Sequence, residues 1–277
     1  MRLEYYENEK LLAHLEVFEK PNNIIYFGKL FSATQTALIE LLKTLKQNYH
    51  DRTILGPIDN STWFSYRIVS HSDNTPTFLM EPSNPLFYAT ALQTCGFIEK
   101  ESYNSSITPL KAIHDPRADS VVKRLQKEDI TIRNIRMDSF EDEVQKLYEL
   151  THNSFKNNPL YESISKEYFV SLYSAFKPLV HPELCKIVEH KNEIIGYMFA
   201  YLDTNRLIIK TTAFKPLKVS AGITLVLMEM MSKYALKKGA TDIIYALMHN
   251  DNHSSKTAQK NAKVFRNYAV YEYTRQR

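Results

Sequence analysis

The fold is decided between residues 206 and 252, which read RLIIKTTA (206–213), FKPLKVSAGIT (214–224), LVLMEMMSKYALKK (225–238), then Gly239 and DIIYALM (242–248). Adjacent apolar and β-branched side chains at 206–213 predict a buried strand, and Pro216 and Gly222 break the pattern after it. Apolar residues resume at helical spacing over 225–238, Gly239 stops that helix, and 242–248 forms a second continuous apolar run. Two buried strands joined by a helix make a right-handed crossover, and ligands of such open sheets sit beyond the carboxyl ends of the strands. The helix amino terminus offers unpaired N–H groups there, so a phosphorylated ligand is expected at residues 214–224.

Composition narrows the alternatives. The 277 residues exceed what most single domains need, so two domains are expected, and an apolar share of 44% suffices for packed cores. A net charge of +4 on 35 basic and 31 acidic residues, with no basic stripe interleaved with aromatics, argues against nucleic acid as a partner. The opening MRLEYYENEK is too charged for a signal peptide, and no apolar stretch of the sequence approaches the roughly 18 residues of a membrane span. Cys95 and Cys185 form no CxxC, so the expectation is a cytoplasmic protein with reduced thiols and no membrane partner. Only six glycines occur, roughly a third of the usual share. There is no GxxxxGK[ST] and no GxGxxG, which excludes phosphate-loop and Rossmann nucleotide sites, where backbone must approach phosphates closely.

In chain order, residues 11–18 and 23–31 predict a hairpin turning at Pro21, Asn22 and Asn23. A helix is predicted over 34–46, a strand at 53–58, a strand near 64–69, an apolar run at 77–80, a helix over 85–95 and a strand at 97–103. Residues 104–118 lack periodicity and hold two prolines, as a linker does, with a short helix at 119–126. The second half predicts a strand at 130–136, a helix carrying Phe140, Val144 and Leu147, a helix opening at Ser165, and a hairpin of 184–189 with 194–202. The crossover comes next, then a helix near 254–261 and a strand pair within 264–273. A hairpin followed by helix, strand, helix and strand at 11–103 recurs at 184–273, where one more strand precedes the first helix, as tandem related folds would give.

In that order of elements, and in GPIDNSTW (56–63), FLMEPSNP (78–85) and CGF (95–97), the chain resembles the GNAT superfamily of N-acyltransferases. The resemblance implies an α/β (α+β) protein with two GNAT-like mixed β-sheets flanked by helices, in tandem. Residues 1–103 are expected as a partial domain, 104–128 as a linker and 129–277 as a complete acyltransferase domain. It implies acetyl-CoA or another acyl-CoA as donor, no metal, and a small-molecule amine or amino-acid-like compound as acceptor; it also admits a homodimer. Aligning the family's Q/R-x-x-G-x-G/A loop on Gly222 places Val219, Gly222 and Thr224 at its three marked positions, so one of the three matches. The expected donor site is Phe214, Lys218, Val219, Ser220, Ala221, Gly222, Ile223 and Thr224. Its backbone N–H groups hold the diphosphate, its small side chains permit approach, and Lys215 and Lys218 supply the charge that Val219 lacks. The corresponding residues 29–36 lack these features, so the first half is expected not to bind donor.

Transfer to an amine needs a base for the ammonium and an acid for the leaving thiolate. His249, at the end of the strand from Asp242, is the expected base. The resemblance suggests Asn252 as a partner of the cofactor arm. The acid is usually a Tyr on the next helix, where residues 254–261 hold none, so Tyr268 and Tyr271 on the last strand are expected in its place. His249, Asp251 and His253 can be drawn as a metal set, but solvated loop residues are the commoner outcome and no metal is expected. The functional expectation is an acyl-CoA-dependent N-acyltransferase, an acetyltransferase acting on an unidentified amine. The alternatives are a catalytically silent GNAT-fold binding or assembly protein, and an acyltransferase using a longer-chain or carrier-bound donor.

Overall fold

The computed structural model describes residues 1–112, 115–258 and 260–275. The strands, in chain order, are β1 (Arg2–Glu7), β2 (Lys10–Lys20), β3 (Ile24–Ser32), β4 (Thr53–Gly56), β5 (Ile68–Ser72), β6 (Ile98–Pro109), β7 (Ile130–Asn134), β8 (Cys185–His190), β9 (Glu193–Asp203), β10 (Arg206–Phe214), β11 (Asp242–His249) and β12 (Lys263–Tyr273). The helices are α1 (Gln35–Asn48), α2 (Phe87–Thr94), α3 (Arg117–Lys127), α4 (Phe140–Phe155), α5 (Lys166–Ser174), α6 (Ile223–Lys237) and α7 (His253–Ala258). The chain divides into two units: unit one holds Met1–Ser105, Leu247–Lys260 and Val264–Arg277, and unit two holds Ser106–Ala246 and Asn261–Lys263.

Unit one is a mixed sheet in the order β1-β2-β3-β4-β12-β6, with β5 also pairing with β12. All of its registered pairs are antiparallel except β3 with β4, the product of the crossover through α1. Helix α1 starts where the Thr34 hydroxyl accepts from the Ala37 N–H at 3.2 Å, and it buries Ala37, Leu38, Leu41, Leu42 and Leu45, a helical repeat facing one way. These side chains close over Leu15, Ile25, Phe27 and Ile54 of the sheet and Leu92 of α2.

Unit two carries β11-β10-β9-β8-β7 in that order. The parallel step is β10 with β11, joined through α6; β9, β8 and β7 continue antiparallel. Adjacent residues of a strand face opposite sides. On β9, Met198 and Ala200 join the cluster that holds Ile223, Leu227 and Met231 of α6, whereas the Tyr197 hydroxyl meets Thr151 of α4 at 3.0 Å on the other side. Residues Lys218–Lys237 are, by length and composition, apolar enough to cross a membrane, which corrects the expectation that no stretch is. In this fold, seven residues of α6 are buried as the crossover between two parallel strands, and that accounts for part of the apolarity.

Other expectations change as well. β1 escapes the sequence reading because its charged, exposed side chains give an edge strand with little apolar signal. The residues at 77–80 form no strand, and Met80 at φ 64 is incompatible with an extended run. The strand expected to end at 103 runs on to Pro109, into the residues read as linker, and α3 comes after it as an ordinary amphipathic helix. The expected closing pair at 264–273 is the single strand β12, registered against β4 and β5. Those partners give the last strand to unit one, which local sequence cannot reveal because the pairing is long-range.

Candidate functional site

In unit two the crossover opens into a loop. β10 and β11 are registered from Arg206↔Asp242 to Ile209↔Tyr245, and β10 then continues to Phe214 paired only with β9 in the registered pairs. A bulge between Ile209 and Thr211 marks the change. Beyond the parting, one edge of β10 from Thr211 to Phe214 offers backbone donors and acceptors with no β11 residue opposite.

Residues 215–222 turn the chain from β10 into α6. The Lys215 N–H donates to the Ile195 carbonyl at 2.8 Å, the Ser220 hydroxyl donates back to the Lys215 carbonyl at 3.0 Å, and Lys218–Ser220 makes a single tight turn. Gly222 then occupies the left-handed region at φ 75, which only glycine adopts without strain, and α6 starts with no side chain capping it. The opening N–H groups of a helix have no intrahelical acceptor, so an uncapped start leaves donors beside a positive dipole end.

Each expected loop residue has a definite place. Phe214 packs its ring over Gly196 of the neighbouring strand. Ile223 is fully buried and anchors the start of α6. Lys218, Ala221 and Thr224 are exposed, and Val219, Ser220 and Gly222 are half-buried. Lys215 is engaged with Glu193, so Lys218 is the lysine of the loop left facing solvent.

Sequence reasoning missed Arg124. It sits on α3, within the residues read as linker, and its Nη2 donates to the carbonyls of Val219, at 3.3 Å, and of Ala221. Its Nε lies 3.4 Å from Glu128, one turn on. The available signal was the spacing of Ala118, Val121 and Leu125, an apolar face that needs a partner surface.

The acid–base candidates lie in unit one. His249 is 9% exposed. Its Nδ1 accepts from the Asp251 N–H at 3.2 Å, which fixes the tautomer whose Nε2–H donates to Glu101 at 2.8 Å. In that tautomer both ring nitrogens are occupied, and Tyr103 packs edge-on against the ring. Asn252 accepts from the Lys256 N–H at 3.2 Å through its carbonyl, at the entry to α7. Its own N–H donates to the His249 carbonyl at 3.1 Å.

Tyr268 and Tyr271 are completely buried in unit one. The Tyr268 hydroxyl bonds with Glu81 and, at 2.9 Å, with Ser105; the Tyr271 hydroxyl donates to Glu99 at 3.4 Å. Burial first, then the neighbouring carboxylates, pushes both phenols well above their ordinary range. Such groups hold their protons firmly and stand out of contact with solvent, a poor setting for the leaving-group acid expected of them. Glu81 itself is clamped by Arg266 at 2.5 Å, both side chains being buried, so this network belongs to the core.

Of the drawn metal set, the His253 side chain lies outside the described residues, and among the described residues no three His, Cys, Asp or Glu side chains gather for a metal. Burial pushes the Cys185 thiol up to about 12 and raises Cys95 as well, so neither is an activated nucleophile.

No protein-family model and no curated protein matches the chain. Solved structures do. A GCN5-related N-acetyltransferase from Sphaerobacter thermophilus superposes with a TM-score of 0.58 at 12% identity, over 96% of this chain and 78% of that one. The glucosamine N-acetyltransferase region of a fungal multi-domain GH3 β-N-acetylglucosaminidase gives 0.58 at 13% identity, over 96% of this chain and 32% of that one. A tandem GNAT protein from the clavulanic acid biosynthesis pathway gives 0.56 at 11% identity, over 97% and 80%. At such identities the likeness speaks for the fold alone, and on it the chain has the mixed α/β fold of the GNAT N-acetyltransferases over nearly its whole length.

Proposed function

We propose that unit two is the donor-binding part of an acyl-CoA-dependent N-acyltransferase acting on a small amine. The observation that carries this reading is the parting of β10 from β11 after Ile209 and Tyr245, leading to the uncapped, glycine-led start of α6. A diphosphate fits the helix start, where N–H donors and the dipole favour an anion and where Lys218, Ala221 and Thr224 face solvent. The free edge of β10 suits the amide groups of an extended pantetheine arm, which adds to a strand as a peptide does. In the reaction the amine nitrogen attacks the thioester carbonyl, the C–S bond breaks, an amide forms, and the proton lost by the amine ends on the thiolate.

Calorimetry with acetyl-CoA and with longer acyl-CoAs tests the reading. Saturable binding is expected, and no heat up to millimolar ligand would sink it. Tight binding confined to long-chain donors would move the donor class and leave the site in place. A second reading, a GNAT-fold protein that binds donor without transferring it, draws on the doubly engaged His249 and the buried phenols of Tyr268 and Tyr271. Release of free thiol in the presence of a panel of amines separates the two: binding with no thiol release selects the silent protein.

A further inference from the structure

The loop before α6 is held from outside the crossover. α3 lies against α6 and brings Val121 over Gly222, so that a Cβ built on the glycine would stand 2.9 Å from Val121 Cγ2. One turn further along α3, Arg124 Nη2 bonds to the Val219 and Ala221 carbonyls. Both carbonyls belong to the turn that aims the N–H groups of residues 222–224. Tying carbonyls to a guanidinium on one side fixes the peptide planes and leaves the N–H groups to the other.

The pattern of exposure shows which side α3 takes. Gly222 is half-buried beneath Val121, while Lys218, Ala221 and Thr224 remain exposed. The helix therefore supports the back of the loop and does not fill its front. The Arg124 side chain is itself 36% exposed, with its Nε buried and its Nη2 held by the two carbonyls. Glu128 neutralises the guanidinium only in part, at 3.4 Å and itself 35% exposed.

We propose that Arg124 is the positioning residue of the donor loop, holding the Val219 and Ala221 carbonyls from α3 and so ordering the backbone donors for a diphosphate. The inference rests on the acyl-CoA reading of this loop. It gives α3, which the sequence reads as part of a linker and which belongs to unit two, a role in recognition. The chemistry recognised is the diphosphate, since backbone N–H groups ordered at a helix start pair with phosphate oxygens.

The test compares coenzyme A with S-acetylpantetheine, which has the thioester arm and no phosphate, in calorimetry on the full chain. Arg124→Gln is expected to raise the Kd for coenzyme A about tenfold, as loss of one charge-assisted contact and of loop order would. It should leave the Kd for S-acetylpantetheine within about twofold, and Arg124→Lys should recover part of the loss. Equal coenzyme A affinity in wild type and Arg124→Gln overturns the role of Arg124 while the donor reading stands. An equal loss for both ligands overturns it too, because it marks a structural defect. Wild type that fails to bind coenzyme A overturns the donor reading and this one together. Should Arg124→Gln not fold, Arg124→Lys alone decides: an unchanged coenzyme A Kd and unchanged salt dependence would overturn the proposal.

Discussion

The two units contain the same device built in two ways. In unit one a parallel pair, β3 with β4, is joined through α1; in unit two the parallel pair β10 with β11 is joined through α6. Both pairs are registered over a few residues, Ile24–Tyr26 with Thr53–Leu55 and Arg206–Ile209 with Asp242–Tyr245. Beyond the paired residues the two diverge. In unit one the chain after β4 stays beside β3: the Ile58 N–H donates to the Phe27 carbonyl at 2.7 Å, and Asp59 accepts from the Lys29 N–H at 2.5 Å. Its helix starts soon after β3, with Thr34 consuming an N–H. In unit two the strands part, residues 215–222 intervene, and the helix start is uncapped. The same crossover is thus sealed by its own chain in one unit and left open in the other, so donor binding is expected of unit two alone.

The largest effect separates the two glycines at these crossovers. Gly222→Val puts a β-branched residue at φ 75 and its Cβ against Val121, and the coenzyme A Kd is expected to rise at least about tenfold, read by calorimetry. Gly28→Ala forces a Cβ onto the Ile58 carbonyl and to 2.5 Å from Asp59 Oδ1. Overpacking against backbone of this kind costs about 1–3 kcal/mol in denaturant unfolding, with coenzyme A affinity unchanged. If Gly28→Ala weakened coenzyme A as much as Gly222→Val, the comparison would collapse.

Next in size is Thr34→Ala, which removes the cap of α1 and is expected to destabilise the protein by about 1 kcal/mol, again without effect on ligand. The smallest effect concerns the seal itself. Burial raises the Asp59 carboxyl above the usual range, and the Lys29 N–H opposes this only in part. A folded pKa above the unfolded one favours the fold at low pH and loses that contribution as pH rises through the folded value. Asp59→Asn keeps the acceptor for Lys29 and removes the charge. It should therefore show a small rise in melting temperature at neutral pH that disappears below the ordinary carboxylate range. An advantage that grew toward acid would reverse the sign and refute the account.

The legible part of the sequence was local. The apolar run at 206–213, the helical repeat at 225–238 and Gly239 located β10, α6 and the turn into β11, because periodicity and a breaker are properties of neighbouring residues. Gly222 was legible for the same reason, as a lone glycine between a strand and a helix. Arg124 was not, since a linker arginine shows no sign of the carbonyls at 219 and 221 that it meets. Nor was the burial of Tyr268 and Tyr271: alternation along a strand tells which residues share a face, and not whether that face meets solvent or a packed core.

By itself, then, the sequence determined the crossover, the glycine that leads its helix and the exclusion of glycine-rich nucleotide loops, all of which rest on short-range backbone chemistry. Only the tertiary structure decided that one crossover is filled by Ile58 and Asp59 while the other stays open, that β12 pairs with β4 and β5, and that α3 backs the loop at Gly222. Each of these depends on contacts between residues far apart in the chain, whose partners are selected by packing and hydrogen-bond satisfaction across the fold and leave no local pattern.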